Sequence, residues 1–213
     1  MTVKSPVNGG SMTKRIVVVA SGRGSNFQAV IEALQRKWIP GECVALVTDN
    51  PKAFAIERAQ EAGVPVVVVD YGSYASRELY EQALLAALKE ARPDLVILAG
   101  YMRILGSAIV REYAGMMINI HPALLPSFTG LHAQRQALLH GVKITGCTVH
   151  FVDESLDGGP IILQRSVRVM DDDDEDTLAN RILIQEHIAL PEAVRLFCED
   201  RLTIEGRRVR TRL

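Results

Sequence analysis

The stretch RIVVVASGRGSNFQAVIEALQRK, residues 15–37, decides the fold class. Residues 15–20 are mostly apolar and β-branched, which is typical of a buried strand, and residues 26–37 carry apolar side chains at helical spacing. Such runs alternate with amphipathic stretches as far as residue 120. Because this alternation is typical of parallel sheets covered on both faces, the sequence predicts an α/β fold: a doubly wound, mostly parallel sheet of about seven strands with helices on both faces.

The predicted elements follow from the same patterns. Strands are predicted at residues 15–20, 43–48, 65–69, 94–100, 116–120, 143–152 and 160–169, and helices at 26–37, 53–62, 73–91, 107–113 and from the acidic run 171–176 to residue 198. The last two strands are longer and are joined by a short turn, so we expect them to be antiparallel. Consecutive acidic residues before a helix suit its dipole better than they suit a metal, and we expect a solvated cap there. The basic RRVRTR tail is expected to be a solvated edge.

Composition narrows the class of protein. Of 213 residues, 48% are hydrophobic and 23% are charged, and the formal net charge of −1 gives no support for binding to nucleic acid or to a membrane surface. Cys43, Cys147 and Cys198 lack metal-ligand spacing, and we expect reduced thiols in a cytoplasmic protein. Residues 1–13 lack a signal-peptide core and are expected to be a disordered extension, and residues 14–213 to be a single domain.

The turn between the first strand and the first helix predicts an anion site. Gly22 and Gly24 let the backbone turn tightly, and the amides of Ser25 and Asn26 then face a ligand at the helix start. Phe27 stands where a dinucleotide-binding motif has its third glycine, so a single phosphate fits better than a pyrophosphate. The alternative is a tight turn in which Ser25 or Asn26 only caps the helix.

Asn119, His121 and Asp157 predict a site for acyl transfer. Asn119 and His121 lie at the carboxyl end of the fifth predicted strand, on one face, and Asp157 lies in the turn LDGGP. A carboxylate favours the protonated imidazole, and the imidazolium and the amide can both donate to the oxyanion of a tetrahedral intermediate. The sequence has no GxSxG motif, so the attack is expected from the substrate itself. The alternative is a strand-end histidine satisfied by a neighbour, with Asp157 as a turn former.

Five motifs in order carry a resemblance to a known family. They are SGRGSN, YMRIL, NIHPALLPSF…GLHAQRQAL, LDGGPIILQ and QEH. Together they resemble the single-domain phosphoribosylglycinamide formyltransferases of purine synthesis, over about residues 15–202. The resemblance implies transfer of a formyl group from 10-formyltetrahydrofolate, as co-substrate and without a metal, to the amino group of glycinamide ribonucleotide. It also implies that the amine attacks directly, with Asn119 and protonated His121 on the oxyanion and Asp157 supporting the imidazolium.

The resemblance assigns residues by position. It implies that Asn119, His121 and Asp157 are catalytic. The ribonucleotide would contact Gly24, Ser25, Asn26 and Glu186. The folate would contact Arg77, Leu98, Met102, Arg103, Ile104, Leu105, Asn119, Val152, Asp153 and Asp157. Ser127 and Thr129 depart from the family, which often has a larger polar or basic residue and a proline there, so closure of this loop over the ribonucleotide is expected to differ.

Three rival functions share the fold. Methionyl-tRNA formyltransferases carry a further C-terminal domain, and few residues follow EDRLTI here. Formyltetrahydrofolate hydrolases carry an additional N-terminal domain and tend to have a second histidine where this chain has Pro122. A protein that binds folate or ribonucleotide without turnover is the third rival, and the presence of Asn119, His121 and Asp157 disfavours it. The expected partners are the two small substrates, with no nucleic acid or membrane, in a monomer or homodimer.

Overall fold

The computed structural model describes residues 13–212, which fall into two compact units divided in sequence after Ile118. The strands are β1 (Lys14–Val19), β2 (Gly41–Thr48), β3 (Val66–Val68), β4 (Leu95–Leu98), β5 (Met117–His121), β6 (Ile144–Phe151), β7 (Ile161–Arg168), β8 (Leu202–Glu205) and β9 (Arg208–Thr211). The helices are α1 (Ser25–Gln35), α2 (Ala55–Glu61), α3 (Arg77–Ala91), α4 (Ser107–Glu112), α5 (Ala133–Leu139) and α6 (Glu175–Cys198). The disordered extension expected at residues 1–13 lies outside the described residues apart from Thr13, and the single domain stays a prediction.

The first unit contains a parallel sheet built around β1. This strand pairs with β2 on one side and with β4 on the other, and β3 pairs with β2, all in parallel. Residues 16–19 of β1 and all four residues of β4 are buried. Because successive side chains of a strand point to opposite faces, both faces of this sheet are covered. The fold class expected from the apolar runs is therefore confirmed.

The longest helix of the first unit begins later than predicted. α3 begins at Arg77 rather than at residue 73, because the hydroxyl of Ser76 caps it by accepting a hydrogen bond from a first-turn amide. Tyr71–Ser73 form a separate 3-10 turn, in which the side chain of Asp70 accepts a hydrogen bond from a backbone amide. Two local capping interactions thus divide a segment that helical periodicity alone had joined.

The second unit contains a mixed sheet. β6 and β7 pair in antiparallel, as predicted. β9 pairs in parallel with β7 and in antiparallel with β8, and α6 packs on β6 and β7. Residues 13–212 therefore contain nine strands rather than about seven, because the C-terminal segment with the basic tail, expected only to be a solvated edge, forms a hairpin of two strands. The helix α5 was not predicted either.

The acidic run before α6 has the capping role that the sequence predicted. Asp174 is the N-cap: its carboxylate accepts a hydrogen bond from the Thr177 amide, and the Thr177 hydroxyl accepts one from the Asp174 amide. Asp173 holds Arg181 with two hydrogen bonds of 2.6 and 2.8 Å. Asp171 pairs with Lys143 across the start of β6. These three aspartates therefore stabilise the helix start and its surroundings.

Within residues 13–212, no helix is both long and apolar enough to cross a membrane. Within the same residues, no group of three or more His, Cys, Asp or Glu side chains is placed to hold a metal ion.

Candidate active site

His121, the last residue of β5, has an acceptor at each ring nitrogen. Its Nε2 lies 2.7 Å from the carbonyl oxygen of Phe128, and its Nδ1 lies 3.5 Å from Oδ2 of Asp157. The residue is only 5% exposed, so bulk water has little access to the ring. A neutral imidazole can donate from one nitrogen only, whereas the protonated ring donates from both. The ring therefore lies between two acceptors, a backbone carbonyl oxygen and a carboxylate.

Asn119, two residues earlier on β5, is held by a second histidine. Nδ1 of His150 donates to the carbonyl oxygen of Phe151 at 2.9 Å, which leaves Nε2 to accept a hydrogen bond of 3.2 Å from Nδ2 of Asn119. Burial lowers the pKa of His150, which favours this neutral ring. Nε2 of His150 also lies 3.9 Å from Oδ1 of Asp157. We call Asn119, His121, His150 and Asp157 the polar quartet.

Asp157 reaches the quartet from the tight turn that follows β6. Its φ is +52°, a left-handed conformation in which Asp is enriched among residues other than glycine. A Cβ on Gly159 would lie 1.8 Å from the carbonyl oxygen of Phe151, so only glycine lets the turn pass this strand. Oδ2 of Asp157 also accepts a hydrogen bond of 2.7 Å from the Gly130 amide. The carboxylate thus contacts both the His121 ring and the loop that follows it.

The backbone directly after His121 is braced by side chains of β6 and β7. Oγ1 of Thr148 donates to the Ala123 carbonyl oxygen at 2.6 Å and accepts from the Leu125 amide at 3.0 Å. Nε2 of Gln164 donates to Oγ1 of Thr148 and to the Leu125 carbonyl oxygen, at 2.9 Å each. Because Thr148, Ala123 and Leu125 are buried, these bonds are shielded from water and the chain leaves His121 along a fixed course.

The other predicted residues of the second unit lie in the loop after β6 and on α6. Val152 and Asp153 directly follow β6, and Oδ1 of Asp153 accepts a hydrogen bond of 2.9 Å from the Ser155 amide. Glu186 is buried on α6. Burial raises the pKa of Cys147, on β6, to about 12, and the Glu186 carboxylate adds to that rise. Glu186 therefore faces β6 rather than solvent.

The glycine turn of the first unit has the geometry that its sequence predicts. Gly24 has a φ of +69°, and a Cβ there would lie 2.7 Å from the Cβ of Ala55 in α2. A side chain is therefore excluded both by the backbone conformation and by space. α1 begins at Ser25, so the amides of Ser25 and Asn26 belong to a first turn whose donors have no acceptor within the helix. Such a turn can donate hydrogen bonds to an anion.

Most of the predicted folate residues of the first unit share a cavity of about 240 Å³. Its wall consists of Tyr71, Arg77, Tyr80, Glu81, Met102, Arg103 and Ile104. Nη2 of Arg77 donates to the Ile104 carbonyl oxygen at 3.0 Å, and the Met102 amide donates to Oγ of Ser21 at 3.1 Å. The second bond ties this stretch to the glycine turn. Leu98 is buried at the end of β4 and Leu105 is half-buried, and both lie outside the cavity wall.

Sequence reasoning missed several residues at these sites, among them His150, Asp49 and Tyr71. His150 carried a signal, because it is a polar residue at the carboxyl end of an apolar strand, as His121 is. Asp49 pairs with Arg103, which is 54 positions away, and the guanidinium of Arg103 lies over the Tyr71 ring. No local pattern reveals a contact over that separation.

Comparison with known proteins identifies the family. A family model described as formyl transferase matches residues 14–194. The chain is 48% identical over 183 residues to the trifunctional purine biosynthetic protein adenosine-3 of Drosophila melanogaster, covering 85% of this chain and 14% of that protein. It is 44% identical over 187 residues to the phosphoribosylglycinamide formyltransferase of Escherichia coli K12, covering 88% of each. The crystal structure of glycinamide ribonucleotide transformylase 1 from Symbiobacterium toebii matches with a TM-score of 0.92 and 46% identity over 98% of both chains. This chain belongs to the formyl transferase family.

Proposed function

We propose that this chain transfers the formyl group of 10-formyltetrahydrofolate to the amino group of glycinamide ribonucleotide, in the cytoplasm, as a step of purine biosynthesis. Two relatives named phosphoribosylglycinamide formyltransferase match 88% and 92% of this chain, at 44% and 43% identity. The single observation that carries the chemistry is the His121 ring, with an acceptor 2.7 Å from Nε2 and the Asp157 carboxylate 3.5 Å from Nδ1.

This arrangement supports acyl transfer because it places a buried imidazole, with an acceptor at one ring nitrogen and a carboxylate near the other, on the same strand as an amide donor. Formyl transfer passes through a tetrahedral intermediate that carries an oxyanion, and donors that meet this charge lower the barrier. The His121 imidazolium and the Asn119 amide are two such donors on one strand. Removal of one donor of this kind costs about 10²- to 10³-fold in turnover in other enzymes.

The proposed reaction needs no enzyme nucleophile. The neutral amine of the ribonucleotide attacks the formyl carbon, the carbonyl π bond becomes an oxyanion, and the new carbon–nitrogen bond leaves a positive charge on the amine nitrogen. Asp157 accepts a proton from that nitrogen and returns it to the folate nitrogen as the carbon–nitrogen bond to the folate breaks. The oxyanion reforms the carbonyl group of the product. No proton is gained or lost overall.

Before His121 can stabilise the oxyanion, the oxyanion must replace the Phe128 carbonyl oxygen as the acceptor at Nε2. Nε2 already donates to the Phe128 carbonyl oxygen, and Phe128 has a φ of +57°, which is uncommon for a residue with a side chain. We therefore include in the proposal that the Phe128 carbonyl gives way when the formyl oxygen binds. The donor would then remain satisfied both with and without substrate.

The two substrates are assigned to separate groups of residues. The glycine turn at Gly24, Ser25 and Asn26 binds the ribonucleotide phosphate, because its first-turn amides offer donors to an anion. Glu186 contacts the same substrate. The folate binds against the stretch from Met102 to Leu105, and no metal takes part. Its further contacts are Arg77, Leu98, Asn119, Val152, Asp153 and Asp157.

The experiment that tests the proposal measures tetrahydrofolate formation from 10-formyltetrahydrofolate with and without the ribonucleotide. Product that forms only with the ribonucleotide, together with formylated ribonucleotide in stoichiometric amount, supports the transferase. Product that forms equally without it identifies a hydrolase. If both substrates bind in calorimetry but no product forms, the chain is a binding protein, and the proposal is wrong.

A further inference from the structure

Asp49 forms a buried ion pair in the first unit that the proposed chemistry does not use. It directly follows β2, and its Oδ2 accepts a hydrogen bond of 2.6 Å from Nε of Arg103. The side chain of Asp49 is 4% exposed, whereas that of Arg103 is 37% exposed. One end of the pair is therefore fixed in the interior, and the other reaches the surface of a cavity.

The pair determines where the guanidinium of Arg103 lies. Because Asp49 binds the Nε edge, the planar group is directed over the Tyr71 ring, with its central carbon 3.5 Å from the ring centroid. Arg103 and Tyr71 both belong to the wall of the 240 Å³ cavity. An arginine side chain that is free in water adopts many rotamers, and holding it in one of them before a ligand arrives removes an entropy cost from binding.

Stability alone does not account for the buried carboxylate. Oδ1 of Asp49 is buried and has no hydrogen-bond partner among residues 13–212. Burial of an incompletely satisfied charge is costly, and replacement of buried ion pairs by uncharged residues is often neutral or stabilising. Burial raises the pKa of Tyr80 to about 12, and the Asp49 carboxylate adds to that rise, while the hydroxyls of Tyr80 and Tyr101 are hydrogen-bonded to each other. Neither hydroxyl is hydrogen-bonded to Oδ1.

We propose that Asp49 is a positioning residue that fixes the guanidinium of Arg103 over Tyr71 for binding of the folate co-substrate. The proposal rests on the proposed function for the identity of the ligand. Asp49 does not contact the folate itself, and its effect passes through Arg103. It therefore acts on folate affinity and not on the formyl transfer step.

The test is a double-mutant cycle of Asp49→Asn and Arg103→Ala. We expect Asp49→Asn to raise the KM for 10-formyltetrahydrofolate by about 3- to 10-fold, the range that ordering one long side chain provides. The KM for the ribonucleotide and kcat should stay within about twofold. In the Arg103→Ala background, Asp49→Asn should add less than about a twofold effect, because its target is gone. A full effect in that background would overturn the proposal, as would an unchanged folate KM in the single variant.

A matched control separates positioning from general loss of stability. Asp173 and Arg181 form a pair of the same kind, with a distance of 2.6 Å and exposures of 3% and 36%, and neither residue belongs to the cavity wall. Asp173→Asn should lower the melting temperature without changing the folate KM. An equal rise of the folate KM in this control would overturn the proposal.

A second variant and a binding measurement distinguish failure of the positioning role from failure of the proposed function. If Asp49→Asn does not fold, Asp49→Ser removes the same buried charge and has the same expected result. Calorimetric titration with tetrahydrofolate gives the affinity without turnover. Wild-type protein that binds tetrahydrofolate but forms no product would contradict the proposed function, whereas equal affinity of the wild type and the Asp49 variant would contradict only the positioning role.

Discussion

Oδ2 of Asp157 lies 3.5 Å from Nδ1 of His121 and 2.7 Å from the Gly130 amide nitrogen. One carboxylate oxygen therefore faces the imidazole and, at the same time, anchors the loop whose Phe128 carbonyl covers the other ring nitrogen. The Asp157 carboxylate therefore connects the His121 ring to the loop that contains Phe128 and Gly130. Changes at Asp157 should consequently affect chemistry more than substrate binding.

Asp157→Asn should lower kcat by about 100-fold or more while changing both KM values little, because the amide keeps the size of the side chain but cannot support the imidazolium or accept a proton. Steady-state kinetics with each substrate varied in turn measures this. Asp171→Asn, which removes an exposed carboxylate paired with Lys143, is the matched control and should have wild-type kinetics. A kcat for Asp157→Asn within a few-fold of the wild type would rule out this role.

His150→Phe should lower kcat by about tenfold, because Asn119 loses the acceptor that orients its amide, and coupled pairs of this kind interact by about 0.5–3 kcal/mol. His150→Gln offers a carbonyl oxygen as a replacement acceptor and should recover part of the loss. The measurement is kcat for both variants in wild-type and Asn119→Ala backgrounds. Equal losses in the two backgrounds would show that His150 does not act through Asn119.

The free energy of unfolding should decrease as the pH is lowered below about 7, partly because of His150. Its pKa in the folded state is lowered by burial below the ordinary value of 6.5. The unfolded chain therefore binds more protons below that pH, so the contribution of His150 is complete above about pH 7 and is lost as the pH falls through 6.5 towards the folded pKa. Urea unfolding at pH 7.5 and 5.5 should show a larger loss for the wild type than for His150→Gln, by at most about 1.4 kcal/mol per pH unit. Equal losses would contradict the assignment.

Gly24→Ala should raise the KM for the ribonucleotide by about tenfold or more, because the added methyl group meets Ala55 at 2.7 Å and the φ of +69° disfavours a side chain. Gly22→Ala is a closely matched control in the same turn, since a Cβ there would meet nothing within 4 Å. It should leave the ribonucleotide KM within about twofold of the wild type. A similar rise in both variants would mean that the turn itself, and not the position of Gly24, is sensitive.

The sequence predicts the core sheet well because its signal is local. Residues 16–19 are apolar, and a run without alternation indicates burial on both faces wherever it lies in the fold. The C-terminal hairpin carried a local signal too, since Gly206, with a φ of +62°, separates β8 from β9. That signal was outweighed by the run of arginines. The helix α5 begins after His132, which has a φ of +58° and gives no capping pattern to detect.

The residues of the candidate site also differ in whether a local sequence signal predicts their contacts. Asn119 and His121 are two residues apart on one strand, so their shared face follows from strand geometry alone. Their link to Asp157 was a hypothesis from residue types that the resemblance strengthened, and only the folded chain supplies the ion-pair distance to His121. The pairing of Asp49 with Arg103 spans 54 positions, and such a contact depends on how strands and loops pack rather than on any local pattern.

The most direct test of the account is the single-turnover rate of formyl transfer by His121→Ala with both substrates saturating. We expect a loss of about 100-fold or more, with substrate dissociation constants changed by less than about threefold, because His121 acts on the oxyanion and not on the ground state. A single-turnover rate within about threefold of the wild type would contradict it, since His121 would then be a buried strand-end residue with no part in the chemistry.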